Sequence, residues 1–276
     1  MATVFPFAGR VLDETPMLLG EGPTFDPATG TAWWFNILER ELHELHLASG
    51  RKTVHALPFM GSALAKVSDS KQLIASDDGL FLRDTATGVL TLHAELEKDL
   101  PGNRSNDGRM HPSGALWIGT MGRKAETGAG SIYHVSKGTV TKLFGEISIP
   151  NSICFSPDGA TGYYVDTKVN KLMRVPLDAE TGLPSGKAEV FIDSTGIKGG
   201  MDFCEFKEES ANHIRIHCKK PRQLWDMLWT MYELQWVLSG FCKNLLLGME
   251  ESRIGPTLVE GMTNGLPLLF WCNWRA

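Results

Sequence analysis

Arg104 and Asn106 stand two residues apart in the stretch NRSNDGRMHPSG, Asn103 to Gly114. On an extended backbone, residues i and i+2 share a face, so a guanidinium fork and an amide point the same way. A planar, five-donor cation beside an amide suits a polyhydroxylated or carboxylate-bearing small molecule. Three further polar residues occupy comparable places: Glu21 in LLGEGPTFDP, Asn151 in ISIPNSICFSPDG and Asp202 in IKGGMDF. Two carboxylates and an amide oxygen make a hard, all-oxygen donor set suited to Ca²⁺, Mg²⁺ or Mn²⁺. Zn²⁺ tolerates carboxylates but more often takes His or Cys. Taken singly, each residue also has a plainer use, Glu before Gly-Pro as a solvated loop residue and Asn before Ser as a turn cap. Asp107-Gly108 and Asp158-Gly159 read as hairpin turns. A site therefore depends on convergence, and convergence requires a fold that brings residues 21 to 202 to one point.

The turn signals describe such a fold. One series falls at Ser49-Gly50, Thr87-Gly88, Lys137-Gly138 and Thr181-Gly182; a second interleaves with it around Gly30, Lys71, Gly114 and Gly159. Within each series the spacing is about 40 to 50 residues, the period of propeller blades. Short β-branched or aromatic runs such as GALWIGT, TGYYVDT and LMRVPL flank the turns and read as strands of antiparallel hairpins. Two hairpins per period make a four-stranded blade, and blades packed face to face around a channel make a β-propeller. A β-sandwich also has regularly spaced strands. Two interleaved series with one common period favour the all-β propeller.

The bulk properties exclude other classes. Among 276 residues the net charge is −5, so no basic face calls for nucleic acid or anionic lipid. No apolar run reaches the roughly 18 residues of a membrane span, and the N-terminus lacks a secretory pattern. Five cysteines without a Cys-x-x-Cys pair fit a reducing compartment and a cytoplasmic location. His213, His217 and Cys218 have zinc-like spacing but no evident fourth ligand, so chance explains them better. No Gly-rich phosphate loop or Gly-x-Ser-x-Gly elbow occurs.

From Phe203 onward the repeat stops. The last 74 residues hold five of the eight tryptophans and four of the five cysteines. RQLWDMLWTMYELQWVL instead places Leu224, Met227, Leu228, Met231, Leu234 and Leu238 at helical spacing, which predicts a partly helical tail.

Together LGEGPTFD, NRSNDGRMHPSGALWIGTM, IPNSICFSPDG and GGMD resemble the senescence-marker-protein, gluconolactonase and luciferin-regenerating (regucalcin-like) family over about residues 14–202. The resemblance implies a six-bladed propeller, about four blades of which are recognisable here. It also implies one divalent metal ion in the channel, with Ca, Zn, Mn and Mg all open, and a small-molecule sugar lactone as substrate. Position by position, it implies Glu21, Asn151 and Asp202 as metal ligands and Arg104 and Asn106 as the substrate-holding pair. Asp202 is in addition the expected catalytic base. The departure comes where the family continues Met-Asp-Gly into a Trp-containing blade strand, for here the chain reads MDFCEFKEES. The expected organisation is 1–202 as propeller blades and 203–276 as a tail foreign to the family, a frameshifted or fused segment. Three functional readings follow: a metal-dependent lactonase, a calcium-binding propeller without turnover, and a non-functional truncated product. Which lactone is taken and the oligomeric state stay open.

Overall fold

The computed structural model describes residues 12–196, Met201, and the backbone of Phe203–Phe206 and Leu268–Trp271. All regular structure among the described residues is β. Four four-stranded sheets follow one another along the chain, each an antiparallel meander of consecutive strands. The first blade comprises β1 (Gly20–Asp26), β2 (Thr31–Asn36), β3 (Glu41–His46) and β4 (Arg51–Ala56). The second comprises β5 (Gly61–Ser68), β6 (Lys71–Ser76), β7 (Gly79–Asp84) and β8 (Leu90–Ala94). The third comprises β9 (Asn103–Met110), β10 (Leu116–Gly122), β11 (Gly130–Ser136) and β12 (Thr139–Ile147). The fourth comprises β13 (Pro150–Phe155), β14 (Thr161–Asp166), β15 (Lys171–Pro176) and β16 (Glu189–Asp193). The first strands of successive blades, β1, β5, β9 and β13, lie side by side around the axis. Beside β13 comes β17 (Phe203–Phe206), which pairs antiparallel with β18 (Leu268–Trp271). The helix predicted within the tail lies outside the described residues.

Apolar residues that alternate along each strand fill the seams between blades. Trp33, Phe35, Ile37 and Leu42 of the first blade pack on Leu64 and Ile74 of the second. Ala65, Leu73 and Leu80 meet Leu116, Ile118 and Val135 at the next seam. Trp117, Ile132 and Ile147 meet Ile153, Phe155, Tyr164 and Val175 at the third. Full burial of one such side chain contributes about 1.5–3 kcal/mol. The third seam is also pinned by polar groups. Trp117 Nε1 donates to Gly182 O at 2.9 Å, His134 Nε2 to Thr181 O at 2.8 Å, and His111 Nε2 to Gly159 O at 2.9 Å. The receiving turn is built by its own sequence, DAETG. Asp178 Oδ1 accepts from Thr181 N and Oγ1, both at 2.9 Å. DTATG at Asp84 repeats the arrangement with Thr87. Such Asx turns form because a short carboxylate can imitate a backbone acceptor.

The inner strands are not regular. Pairing register shifts between Glu21 and Thr24, between Asn151 and Cys154, and opposite Ile118–Thr120 in β9. A bulge inserts one residue and re-aims the side chains beside it. In the first and fourth blades the residue after the key polar position is left-handed: Gly22 at φ 59° and Ser152 at φ 58°. Asp107-Gly108, expected as a turn, instead lies inside β9 at its bulge. Asp107 Oδ2 there accepts the Ile153 N–H of the next blade at 2.8 Å, a long-range use that spacing alone does not reveal. Asp158-Gly159 does form the expected turn, closed by Gly159 N donating to Ser156 O at 2.9 Å.

The two bulges should answer oppositely to substitution. A Cβ at Gly22 would stand 2.3 Å from Ser62 O as well as in a left-handed backbone, so Gly22→Ala should cost more than about 2 kcal/mol. Ser152 carries the same strain, and its buried Oγ has no hydrogen-bond partner. Ser152→Gly should therefore be neutral or stabilising, by up to about 1 kcal/mol. Urea unfolding followed by tryptophan fluorescence separates the two; equal losses would contradict the bulge geometry.

Candidate functional site

Glu21, Arg104, Asn106 and Asn151, singled out in the sequence, fall on the inner strands, near their N-terminal ends. Glu21, Asn106 and Asn151 each precede a turn proline by six residues, at Pro27, Pro112 and Pro157. They belong to β1, β9 and β13 and stand where each strand's register breaks. The repeat thus places a polar side chain at the same register position of the first, third and fourth blades. Glu21 is half-buried, whereas Arg104, Asn106 and Asn151 are 5%, 9% and 6% exposed.

Burial of so many polar groups is tolerable only if they satisfy one another. They do so in a directed chain. Arg104 Nη1 donates to Asn106 Oδ1 at 2.9 Å and to the Ser105 carbonyl at 2.9 Å. Asn106 Nδ2 donates to Asn151 Oδ1 at 2.6 Å and to Pro150 O at 3.0 Å. Asn151 Nδ2 donates to Thr167 Oγ1 at 2.9 Å, and Thr167 Oγ1 donates to Met201 O at 2.7 Å. Asn106 faces an obligate donor on one side and a carbonyl on the other, which fixes the orientation of its amide. Chains of this kind polarise each member in the same sense. Met201 is held at its other end too, its N–H donating to Asn170 Oδ1 at 3.0 Å.

Arg104, Asn106 and Asn151, predicted as site residues, are therefore brought together, and Glu21 takes the matching level of the first blade. Asp202, predicted as metal ligand and catalytic base, lies outside the described residues, next in sequence to the anchored Met201. His213, His217 and Cys218 also lie outside them. Sequence reasoning missed Thr167 and the Met201 carbonyl. Once β13 and β14 are paired with Asn151 opposite Val165, Thr167 falls beside the same level, its N–H donating to Ile149 O at 2.9 Å. That pairing was the available signal.

Among the described residues no group of three or more His, Cys, Asp or Glu side chains lies together, so carboxylates alone do not make a cation site there. By the chemistry of their oxygens, Glu21 and Asn151 are the kinds of donor that a hard divalent ion takes. Asn151 turns its amide oxygen, not its NH₂, toward the Asn106 side of the axis, and Glu21 supplies a carboxylate from the corresponding position.

Four meander sheets whose first strands lie side by side, with polar groups buried where those strands begin, define a β-propeller. A family model described as SMP-30/Gluconolactonase/LRE-like region matches residues 19–204. The chain belongs to that family. A crystal structure of a calcium-binding protein, regucalcin, from Agrobacterium tumefaciens strain C58 is 92% identical and superposes with a TM-score of 0.72, covering 75% of this chain and 70% of that one. A protein of Rhizobium meliloti (strain 1021) named "Putative sugar lactone lactonase" is 62% identical over 202 residues, covering 73% of this chain and 68% of the relative. A pentonolactonase of Haloferax volcanii is 31% identical over 212 residues, covering 74% of this chain and 68% of its own. The shared part thus spans about two thirds of these relatives.

Asn106 is the joint of the buried chain, with a donor before it and an acceptor after it. Asn106→Ala removes both partners at once and should lower unfolding stability by about 1–3 kcal/mol. The exposed Ser185→Ala should change it by less than about 0.5 kcal/mol. Chemical denaturation of the two variants checks this, and equal midpoints would show that the chain bears no weight.

Proposed function

We propose that the chain is a metal-dependent hydrolase of a sugar lactone. The observation that carries the reading is the buried chain from Arg104 through Asn106 and Asn151, in a protein similar to relatives named lactonases. Glu21, Asn151 and Asp202 would hold one divalent cation. When bound, that ion supplies Lewis acidity toward the lactone carbonyl. Arg104, with its charge buried and its guanidinium fixed at Asn106, holds hydroxyl or carboxylate oxygens of the substrate, so that the ring is presented in one orientation. Asn106 stiffens that fork and adds its amide to the polar lining. Asp202 accepts the proton of the attacking water as general base. Water adds to the ring carbonyl, the ester C–O bond opens, and the released alkoxide is protonated to give the open-chain acid. The family match ends at residue 204, beside the change of composition at Phe203, and this supports reading 203–276 as a segment outside the family.

A second reading, a calcium-binding propeller without turnover, is favoured by the 92% identical Agrobacterium relative, which is described as a calcium-binding protein. Acid release from D-glucono-δ-lactone at constant pH separates the two. A lactonase should exceed the spontaneous rate, and Arg104→Ala should lower kcat/KM by about a hundredfold. No rate above background, with calcium still stabilising the fold, selects the second reading.

Metal binding has its own test. Carboxylates and amide oxygens on one axis gain from a cation, so a ligand at about one hundred times its Kd should add about 2.7 kcal/mol of stability. The melting temperature should rise by several degrees with Ca²⁺, Mn²⁺ or Zn²⁺, and the rise should vanish in Glu21→Ala. An unmoved transition with all three ions would end the metal assignment.

A further inference from the structure

The connection from β8 to β9 carries Glu97 in a left-handed backbone, φ 47°. A non-glycine residue held there is strained, and strain retained near a site points to a role in it. The Glu97 carboxylate gathers donors from three consecutive strands. Oε2 accepts from Asn103 Nδ2 of β9 at 2.8 Å. Oε1 accepts from Thr120 Oγ1 of β10 at 2.9 Å and from the Tyr133 hydroxyl of β11 at 2.7 Å. Burial and the adjoining carboxylate push the Tyr133 phenol up to about 12, so it remains a donor throughout the physiological range. Asn103 also reaches Ala129 O at 2.9 Å, tying in the loop between β10 and β11. The residues so held are the neighbours of the substrate fork. Asn103 precedes Arg104 in the chain, and Thr120 pairs with Ser105 across the sheet. Glu97, Thr120, Asn103, Arg104 and Asp77 line one small polar cleft.

We propose that Glu97 is a positioning residue of the lactone site: its carboxylate fixes the start of β9 and through it the direction of the Arg104 guanidinium. The role requires a charged triple acceptor. Gln offers one oxygen, and its NH₂ faces groups that are themselves donors. Asp77 cannot substitute, since its oxygens are committed to Met60 N at 2.8 Å and Arg123 Nη2 at 2.7 Å. The assignment rests on the reading of Arg104 as the substrate-holding cation.

Steady-state hydrolysis of D-glucono-δ-lactone by the full chain tests it. Glu97→Gln should raise KM on the order of tenfold while kcat changes less than about threefold, because the substrate is held loosely but the reacting groups are untouched. Tyr133→Phe, which removes one donor of three, should fall between wild type and Glu97→Gln. In the Arg104→Lys background, Glu97→Gln should add little, since both act on one fork. A Glu97→Gln protein that melts lower yet keeps the wild-type KM would reduce the residue to a structural support and overturn the proposal. Amide hydrogen exchange at Arg104 to Asn106 reads the same effect without turnover. It should quicken about tenfold in Glu97→Gln, and unchanged exchange overturns the proposal whatever the enzyme does. Unchanged hydrolysis in Arg104→Ala would overturn the proposal by removing Arg104 as the substrate-holding cation, whereas no wild-type rate above the spontaneous one would sink the lactonase reading and leave the exchange result to judge Glu97.

Discussion

A buried polar group without a partner costs more than most single contacts contribute, and this constraint organises the axis of the propeller. Arg104 places a full charge in a position only 5% exposed. That is tolerable because its donors meet fixed acceptors, which must in turn pass their own demand onward. Asn106 and Asn151 are suited to the task because an amide both accepts and donates, and Thr167 ends the series on a carbonyl. The chain crosses from the third blade to the fourth at 2.6 Å, so the seam and the site are one structure. A seam of purely apolar contacts could slide; one pinned by directed hydrogen bonds has a single register.

The loops at the same end are fixed by neighbouring blades. Arg123, in the loop after β10, reaches Asp77 of the second blade at 2.7 Å and Pro101 O at 3.2 Å. From the fourth blade Lys168 reaches Thr127 Oγ1 at 2.7 Å and Ala125 O at 3.1 Å in the same loop. These pairs are too exposed to contribute much stability. Their use is geometric, since they set where the rim of the channel stands relative to Arg104. The short Ser62–Ser105 hydroxyl contact, 2.7 Å, does the same on the axis between the second and third blades.

Much of this was legible in the sequence because it is periodic. Gly50, Gly88, Gly138 and Gly182 mark one turn per blade, and each lies at positive φ in the structure. The polar residue ahead of the turn falls at an equivalent place in three blades, and that place together with the family resemblance pointed to Glu21, Asn106 and Asn151. What escaped was set by pairing between distant segments. Asp107 reads locally as a turn residue because Asp-Gly is a strong short-range signal, yet its carboxylate serves the Ile153 N–H of the next blade. Thr167 and Glu97 lie outside the repeat's landmarks, one just past β14 and the other in a connection between blades. Local propensity cannot see a donor that arrives from 36 residues away, as Tyr133 does at Glu97.

The amide at Asn151 then has a physical reason beyond its oxygen. Glu21 occupies the equivalent position of the first blade as a carboxylate, and a second carboxylate at position 151 would serve a cation as well or better by charge alone. It would break the link, because an ionised carboxylate cannot donate to Thr167 and would draw the Thr167 hydroxyl proton away from Met201 O. The residue that belongs at the joint is one that offers an oxygen to Asn106 and a proton to Thr167. Asparagine does both, and so Thr167, and with it the backbone at Met201, is tied to the third blade.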